Sequence, residues 1–120
     1  MTLLGGDLTV NSSSTRALTY LDSILDLNNP NTLLAQGNHD HIDPILLQNF
    51  TNRSSYYAFS RRKITYLVLD TQEDGANITN DQLAFFQQVV DTISESNHLI
   101  VIHHKILWMI GNTDLEPLLP

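Results

Sequence analysis

The feature that most constrains this chain is the succession of a short apolar strand, an amphipathic helix and a second short apolar strand. The first strand, Thr2-Leu3-Leu4, stops at Gly5-Gly6-Asp7, and the second, from Thr32 to Ala35, stops at the polar turn 37–40. Apolar residues recur at helical spacing over residues 14–28 between them, following serines that suit a helix N-cap. Because strands joined by a helix pair in parallel, this pattern predicts a βαβ unit with a right-handed crossover.

The middle of the chain predicts a short helix and a hairpin. Asp43-Pro44 is typical of a helix start, and the helix is expected to run to about Asn52. Its predicted buried side chains are Ile45, Leu46, Leu47 and Phe50. The β-rich runs 56–59 and 64–69 flank Arg61-Arg62-Lys63, which predicts a hairpin with a basic, solvated turn.

The last elements are a helix and a buried strand. Thr79 and Gln82 have the spacing of a capping box, so a helix is predicted from there to about Ser94. Its predicted buried face consists of Leu83, Phe86, Val90 and Ile93. The apolar run 98–102 predicts a strand that ends at His103-His104. We expect this strand to join the sheet of the first βαβ unit, with the hairpin toward the edge of that sheet or beyond it.

Composition excludes several classes of protein. The chain has 120 residues and no cysteine, so disulfides, thiolate metal sites and cysteine nucleophiles are excluded, and one domain is the upper limit. No apolar run is long enough to cross a bilayer. Thirteen acidic against six basic residues give a net charge of −7, which disfavours a nucleic-acid partner. The first residues lack the pattern of a secretory signal, and the cellular compartment stays open.

Polar side chains that can bind metal follow three of the predicted strands. Asp7 follows the first, Asn38 and His39 the second, and His103 and His104 the last. Taken singly, each also fits a turn former or a structural side chain. Ligands of α/β sheets gather outside the carboxyl ends of parallel strands, so these residues are expected to converge in one crevice.

These motifs resemble those of the calcineurin-like metallophosphoesterases. Gly6-Asp7 is similar to the family's Gly-Asp motif, Gly37-Asn38-His39-Asp40 to its Gly-Asn-His-[Asp/Glu] motif, and residues 101–104 to its strand-end His motif. The order and spacing agree, and the resemblance covers nearly the whole chain. It implies an α/β fold, part of a two-sheet sandwich of mixed sheets with flanking helices.

The resemblance also implies a function and roles for individual residues. A complete family site holds two divalent ions (Mn, Fe, Zn or Mg) that activate a hydroxide to hydrolyse phosphate mono- or diesters. Asp7, Asn38 and His103 would bind metal, and His39, as the catalytic group, would stabilise the transition state or protonate the leaving oxygen. Asp40 and His104 would either hold the metal ligands in position or contact the substrate. The partner would be a phosphate-ester small molecule or a phosphorylated substrate.

The chain also departs from the family pattern. The upstream Asp-x-His and downstream Gly-His-x-His motifs are not found, so we expect residues 1–120 to be a single incomplete domain that binds one metal at most. Val10 stands where many members have a carboxylate that orients the catalytic histidine, and Lys105 where proline is common. We expect low activity from this chain alone, and self-association through unpaired sheet edges.

Two other interpretations stay open. The chain could be a non-catalytic α/β remnant or binding module that retains one weak metal site. It could also be an unrelated small α/β domain in which Gly-Asn-His-Asp arises by chance. Convergence of Asp7, Asn38 and His103 in space distinguishes the family interpretation from this last one.

Overall fold

The computed structural model describes residues 1–10, 14–40, 42–72, 78–93, 96, 98–105 and 107. In these parts of the chain there are two β-sheets and three helices, an α/β arrangement as predicted. The elements in chain order are β1 Thr2–Leu4, α1 Thr15–Leu25, β2 Thr32–Leu34, α2 Pro44–Thr51, β3 Tyr57–Arg61, β4 Ile64–Val68, α3 Asn80–Thr92 and β5 His98–Ile102. A bilayer crossing takes about 20 apolar residues, and no helix in the described parts is long and apolar enough.

The first two strands form the predicted parallel pair, with Thr2 opposite Thr32 and Leu4 opposite Leu34. Helix α1 connects them and ends earlier than expected, because Asp26 adopts a left-handed conformation (φ 50°) directly after it. The carboxyl ends of β1 and β2 therefore lie side by side and bring the loops after Leu4 and Leu34 together.

The predicted hairpin is also present, but the prediction for the last strand was wrong. Strands β3 and β4 pair antiparallel, and β5 pairs in parallel with β4 rather than with the β1–β2 sheet. The reason is that α3 links β4 to β5 as α1 links β1 to β2, so the same crossover rule places β5 beside its nearest strand in sequence.

The two sheets face each other, with helices on the outer sides. On β2, Leu34 packs against Leu18 and Leu47 of α1 and α2, while Leu33 packs against Val68 and other residues of the second sheet. On β4, Leu67 faces the opposite way, in a cluster with Val89 and other residues of α3. This alternation follows from the two-residue period of a strand and produces four layers, helix, sheet, sheet and helix.

Two predicted helix faces were wrong in part. Ile45 is 72% exposed, whereas Leu47 is buried as expected. On α3, Leu83 and Val90 are each 40% exposed, and the buried positions are Gln82 and Val89. Helix α3 is thus turned by one position relative to the prediction, because Gln82 is drawn inward by polar partners at the end of β4.

Candidate functional site

Three loops meet at the carboxyl ends of β1, β2 and β5. The structure brings Asp7, Asn38 and His104 together there: His104 Nε2 lies 3.4 Å from Asp7 Oδ2 and 3.2 Å from Asn38 Oδ1. On the other side of the ring, His104 Nδ1 lies 2.8 Å from the Gly5 carbonyl oxygen, a contact between residues 99 positions apart. The predicted convergence of strand-end groups therefore includes a histidine from β5, although β5 belongs to the other sheet.

The hydrogen bond to Gly5 determines which nitrogen of His104 faces the site. A carbonyl oxygen can only accept, so Nδ1 must carry a proton, and in the neutral ring Nε2 presents its lone pair. Nε2 points toward Asp7 Oδ2 and Asn38 Oδ1, which also carry lone pairs. A metal cation among these atoms would accept all three lone pairs, whereas an Asn38 amide turned to place its NH₂ group here would donate to Nε2 instead.

Two of the distances among these atoms, both from His104 Nε2, match the spacing of ligands around one metal ion. Bonds of about 2.1 Å at tetrahedral or octahedral angles place neighbouring ligand atoms about 3.0 to 3.4 Å apart, and the two observed distances are 3.2 and 3.4 Å. A carboxylate, an amide oxygen and an imidazole form a donor set suited to Mn, Fe, Zn or Mg. Among the described residues, no group of three or more His, Cys, Asp or Glu side chains could hold a metal, so this set depends on Asn38.

The loops approach closely because of two glycines. Gly6 has φ 93°, in the left-handed region, and Asp7 follows it with φ 56°. A Cβ on Gly37 would lie 2.2 Å from the Asp7 backbone nitrogen, so only glycine leaves room for the Asp7 backbone there. The His39 backbone N–H then donates to Asp7 Oδ1 at 3.1 Å, which leaves Oδ2 directed at His104.

The buried Asp40 side chain connects the loop after β1 with the loop after β2. It is 1% exposed, and its two carboxylate oxygens accept from the backbone N–H groups of Leu8, Thr9 and Gly37 and from the Thr9 hydroxyl, at 2.7 to 3.4 Å. Three backbone N–H groups, and a hydroxyl whose proton is shared with the His39 carbonyl, thus bind Asp40, so Asp40 holds the loops in place. Its role toward substrate stays a prediction.

His39 and His103 occupy different environments. His39 is exposed, and the donors described for the Asp40 oxygens belong to Leu8, Thr9 and Gly37 rather than to the His39 ring. His103 Nδ1 lies 2.8 Å from the Lys105 carbonyl, so it too carries its proton on Nδ1. The described contacts with Asp7 and Asn38 come from His104, and the ligand role of His103 and the acid role of His39 stay predictions.

A buried polar network behind the site was missed in the sequence. Gln36 Nε2 donates to Asp70 Oδ2 at 3.1 Å, and Gln82 binds the Asp70 backbone through both ends of its amide, at 2.7 and 2.9 Å. These three residues are 1 to 3% exposed. The capping-box prediction placed Gln82 on Thr79, but the Thr79 side chain makes no capping hydrogen bond. Asp70, which directly follows an apolar strand, is the sequence feature that could have indicated this network.

Comparisons with known proteins found no relative. No family model matches the chain, and neither the curated proteins nor the solved structures contain a significant match.

Proposed function

We propose that this chain is a metal-dependent phosphoesterase of the calcineurin-like class. The observation that carries the proposal is the approach of His104 Nε2 to Asp7 Oδ2 at 3.4 Å and to Asn38 Oδ1 at 3.2 Å, distances that suit neighbouring ligands of one metal ion. Bound metal would neutralise a phosphate group and make a water acidic enough to attack phosphorus.

The chain's own residues orient the metal ligands and supply a proton donor. Asp7 is held by the His39 backbone N–H, and His104 is held by the Gly5 carbonyl, so both ligand groups are oriented before an ion arrives. The exposed His39 side chain, next to Asn38, can donate a proton to the leaving oxygen of a phosphate ester. With a single candidate ion, the chain alone is expected to bind metal and turn over slowly.

The proposal is tested by calorimetric titration with Mn²⁺ and by hydrolysis of p-nitrophenyl phosphate and its bis-ester. We expect one ion per chain, and loss of at least about 90% of the affinity in Asp7→Ala and Asn38→Ala, since each removes one of few ligands. His98→Gln, an exposed histidine at the start of β5, is the control and should bind as before. Equal affinity in all variants would contradict the site.

The second candidate, a non-catalytic module with one metal site, is favoured by the described donor set. That set has a single carboxylate and a single imidazole, fewer than a dinuclear site requires. Mn²⁺ binding without hydrolysis of either ester would support this module over the enzyme.

Thr71 is expected to position His103 through Lys105. The buried Thr71 hydroxyl accepts from the Lys105 N–H at 3.0 Å, and the Lys105 carbonyl accepts from His103 Nδ1 at 2.8 Å. We expect Thr71→Val to destabilise the fold by about 1 to 2 kcal/mol, because the Lys105 N–H loses its acceptor. If His103 binds metal, the affinity should also fall about tenfold.

Long-range ¹H–¹⁵N spectra of the histidine rings show directly whether Lys105 still orients His103. Thr71→Val should mix the two tautomers of His103, and Thr71→Ser, which keeps the hydroxyl, should retain the single Nδ1–H form. An unchanged His103 spectrum in Thr71→Val would show that Lys105 is held by other contacts.

A further inference from the structure

The turn between β3 and β4 has an unfavourable sequence for its geometry. Arg62 and Lys63 both have left-handed backbone conformations, with φ 53° and 62°. Two-residue hairpin turns of this kind favour Asn and Gly, whereas long side chains are disfavoured in that region. Strained backbone tends to occur where the side chains serve a function, so the surroundings of Arg62 and Lys63 indicate what they could bind.

A cavity of about 360 Å³ lies against this turn. Its lining residues are Ser60, Arg61, Arg62, Lys63, Thr92, Ile93 and Ser96, with no Asp or Glu among them in the described parts of the chain. The volume is at the lower end of the range for small-molecule sites. Three of the chain's six basic residues are concentrated here, in a protein whose net charge is −7.

Three hydroxyl groups form a chain beside these cations. The buried Thr65 hydroxyl lies 2.7 Å from Ser60 Oγ and 2.5 Å from Ser96 Oγ. Three hydroxyls carry three protons, and two hydrogen bonds use two of them. When the Thr65 hydroxyl accepts from one serine and donates to the other, the serine that accepts keeps its own proton to donate, and both serines line the cavity.

We propose that this cavity binds the phosphate group of a small molecule, or free phosphate, between the Arg62 and Lys63 side chains and the hydroxyl chain. Arg61 already donates a hydrogen bond to the Asn31 side chain. Arg62 and Lys63 would therefore neutralise the charge of the ligand. The turn precedes β4 whereas Thr71 follows it, so this cavity and the Asp7 site lie at opposite ends of the strand. The inference is independent of the proposed phosphoesterase activity.

The test is calorimetric titration of the whole chain with inorganic phosphate and with glycerol 3-phosphate, in EDTA and at constant ionic strength. Arg62→Asn combined with Lys63→Gly should weaken binding at least about tenfold, since two charge-assisted contacts are lost. The same variant should melt at an equal or higher temperature, because Asn-Gly suits the turn. Loss of binding with retained folding thus separates ligand contact from misfolding.

The controls distinguish this cavity from general charge effects and from the Asp7 site. Arg16→Gln removes an exposed cation on α1 and should leave binding unchanged, as should Asp7→Ala. Ser96→Ala should weaken binding more modestly than the turn variant. Tighter binding of glycerol 3-phosphate would identify an ester ligand, and tighter binding of inorganic phosphate would identify the free ion. Equal binding by the turn variant, or no binding of either probe, would overturn the proposal.

Discussion

Gly37→Ala is expected to destabilise the protein by about 3 kcal/mol, the upper part of the usual range for overpacking a buried position, and to abolish Mn²⁺ binding. A Cβ at this position would lie 2.2 Å from the backbone nitrogen of Asp7 and 2.3 Å from its Oδ1. Both loops would have to separate, because the first of these contacts is with backbone rather than with a flexible side chain. The separation would also move Asp7 away from Asn38 and His104.

Gly5→Ala is the matched control, since a Cβ on Gly5 would meet nothing within 4 Å. Denaturant unfolding and Mn²⁺ calorimetry on the two variants measure both effects. We expect Gly5→Ala to resemble the unmodified chain in each. If Gly37→Ala bound Mn²⁺ with unchanged affinity, the close approach of the two loops would not be needed for the site.

The second large effect is expected from Asp40→Asn. The buried carboxylate accepts from four donors, two at each oxygen, and an amide would turn an NH₂ group toward two of them. Leaving buried donors without acceptors and removing their charged partner should cost about 3 kcal/mol or more. Since small domains are stable by about 5 to 15 kcal/mol in total, this loss would be a large fraction of the stability.

Asp43→Asn provides the comparison for that variant. Asp43 is exposed and accepts from the backbone N–H groups of Ile45 and Leu46 at the start of α2, at 2.9 and 3.2 Å. Asparagine caps helices about as well as aspartate, so the change should stay within about 0.5 kcal/mol. Urea unfolding curves of the two variants measure the difference, and a loss in Asp40→Asn as small as in Asp43→Asn would show that the carboxylate is dispensable.

Much of the secondary structure was predictable from local patterns. Hydrophobic periodicity and the crossover rule predict the parallel pairing of β1 with β2 and the hairpin. Capping preferences predict the start of α2 at Asp43-Pro44. The placement of β5 and the rotation of α3 were not predicted. Both depend on partners distant in sequence, β4 for the strand and Asp70 for Gln82.

The candidate site was likewise predictable from the sequence only in part. The sequence indicated that Asp7, Asn38 and a histidine after the last strand would meet, because polar groups at the ends of strands are brought to one edge. It could not say which of two adjacent histidines faces the carboxylate. The structure directs His104 toward Asp7, since its other nitrogen is held by the Gly5 carbonyl.

By itself, the sequence determined which short segments become strands and helices and which residue types stand at their ends, because these depend on neighbouring side chains and local backbone preferences. Only the tertiary structure decided how the second sheet is assembled, which face of α3 is buried, and that Asp40 is a clamp between loops. Those outcomes depend on contacts between residues 12 to 34 positions apart, such as Asp70 with Gln82 and Asp40 with Leu8, whose hydrogen-bond partners local sequence does not specify.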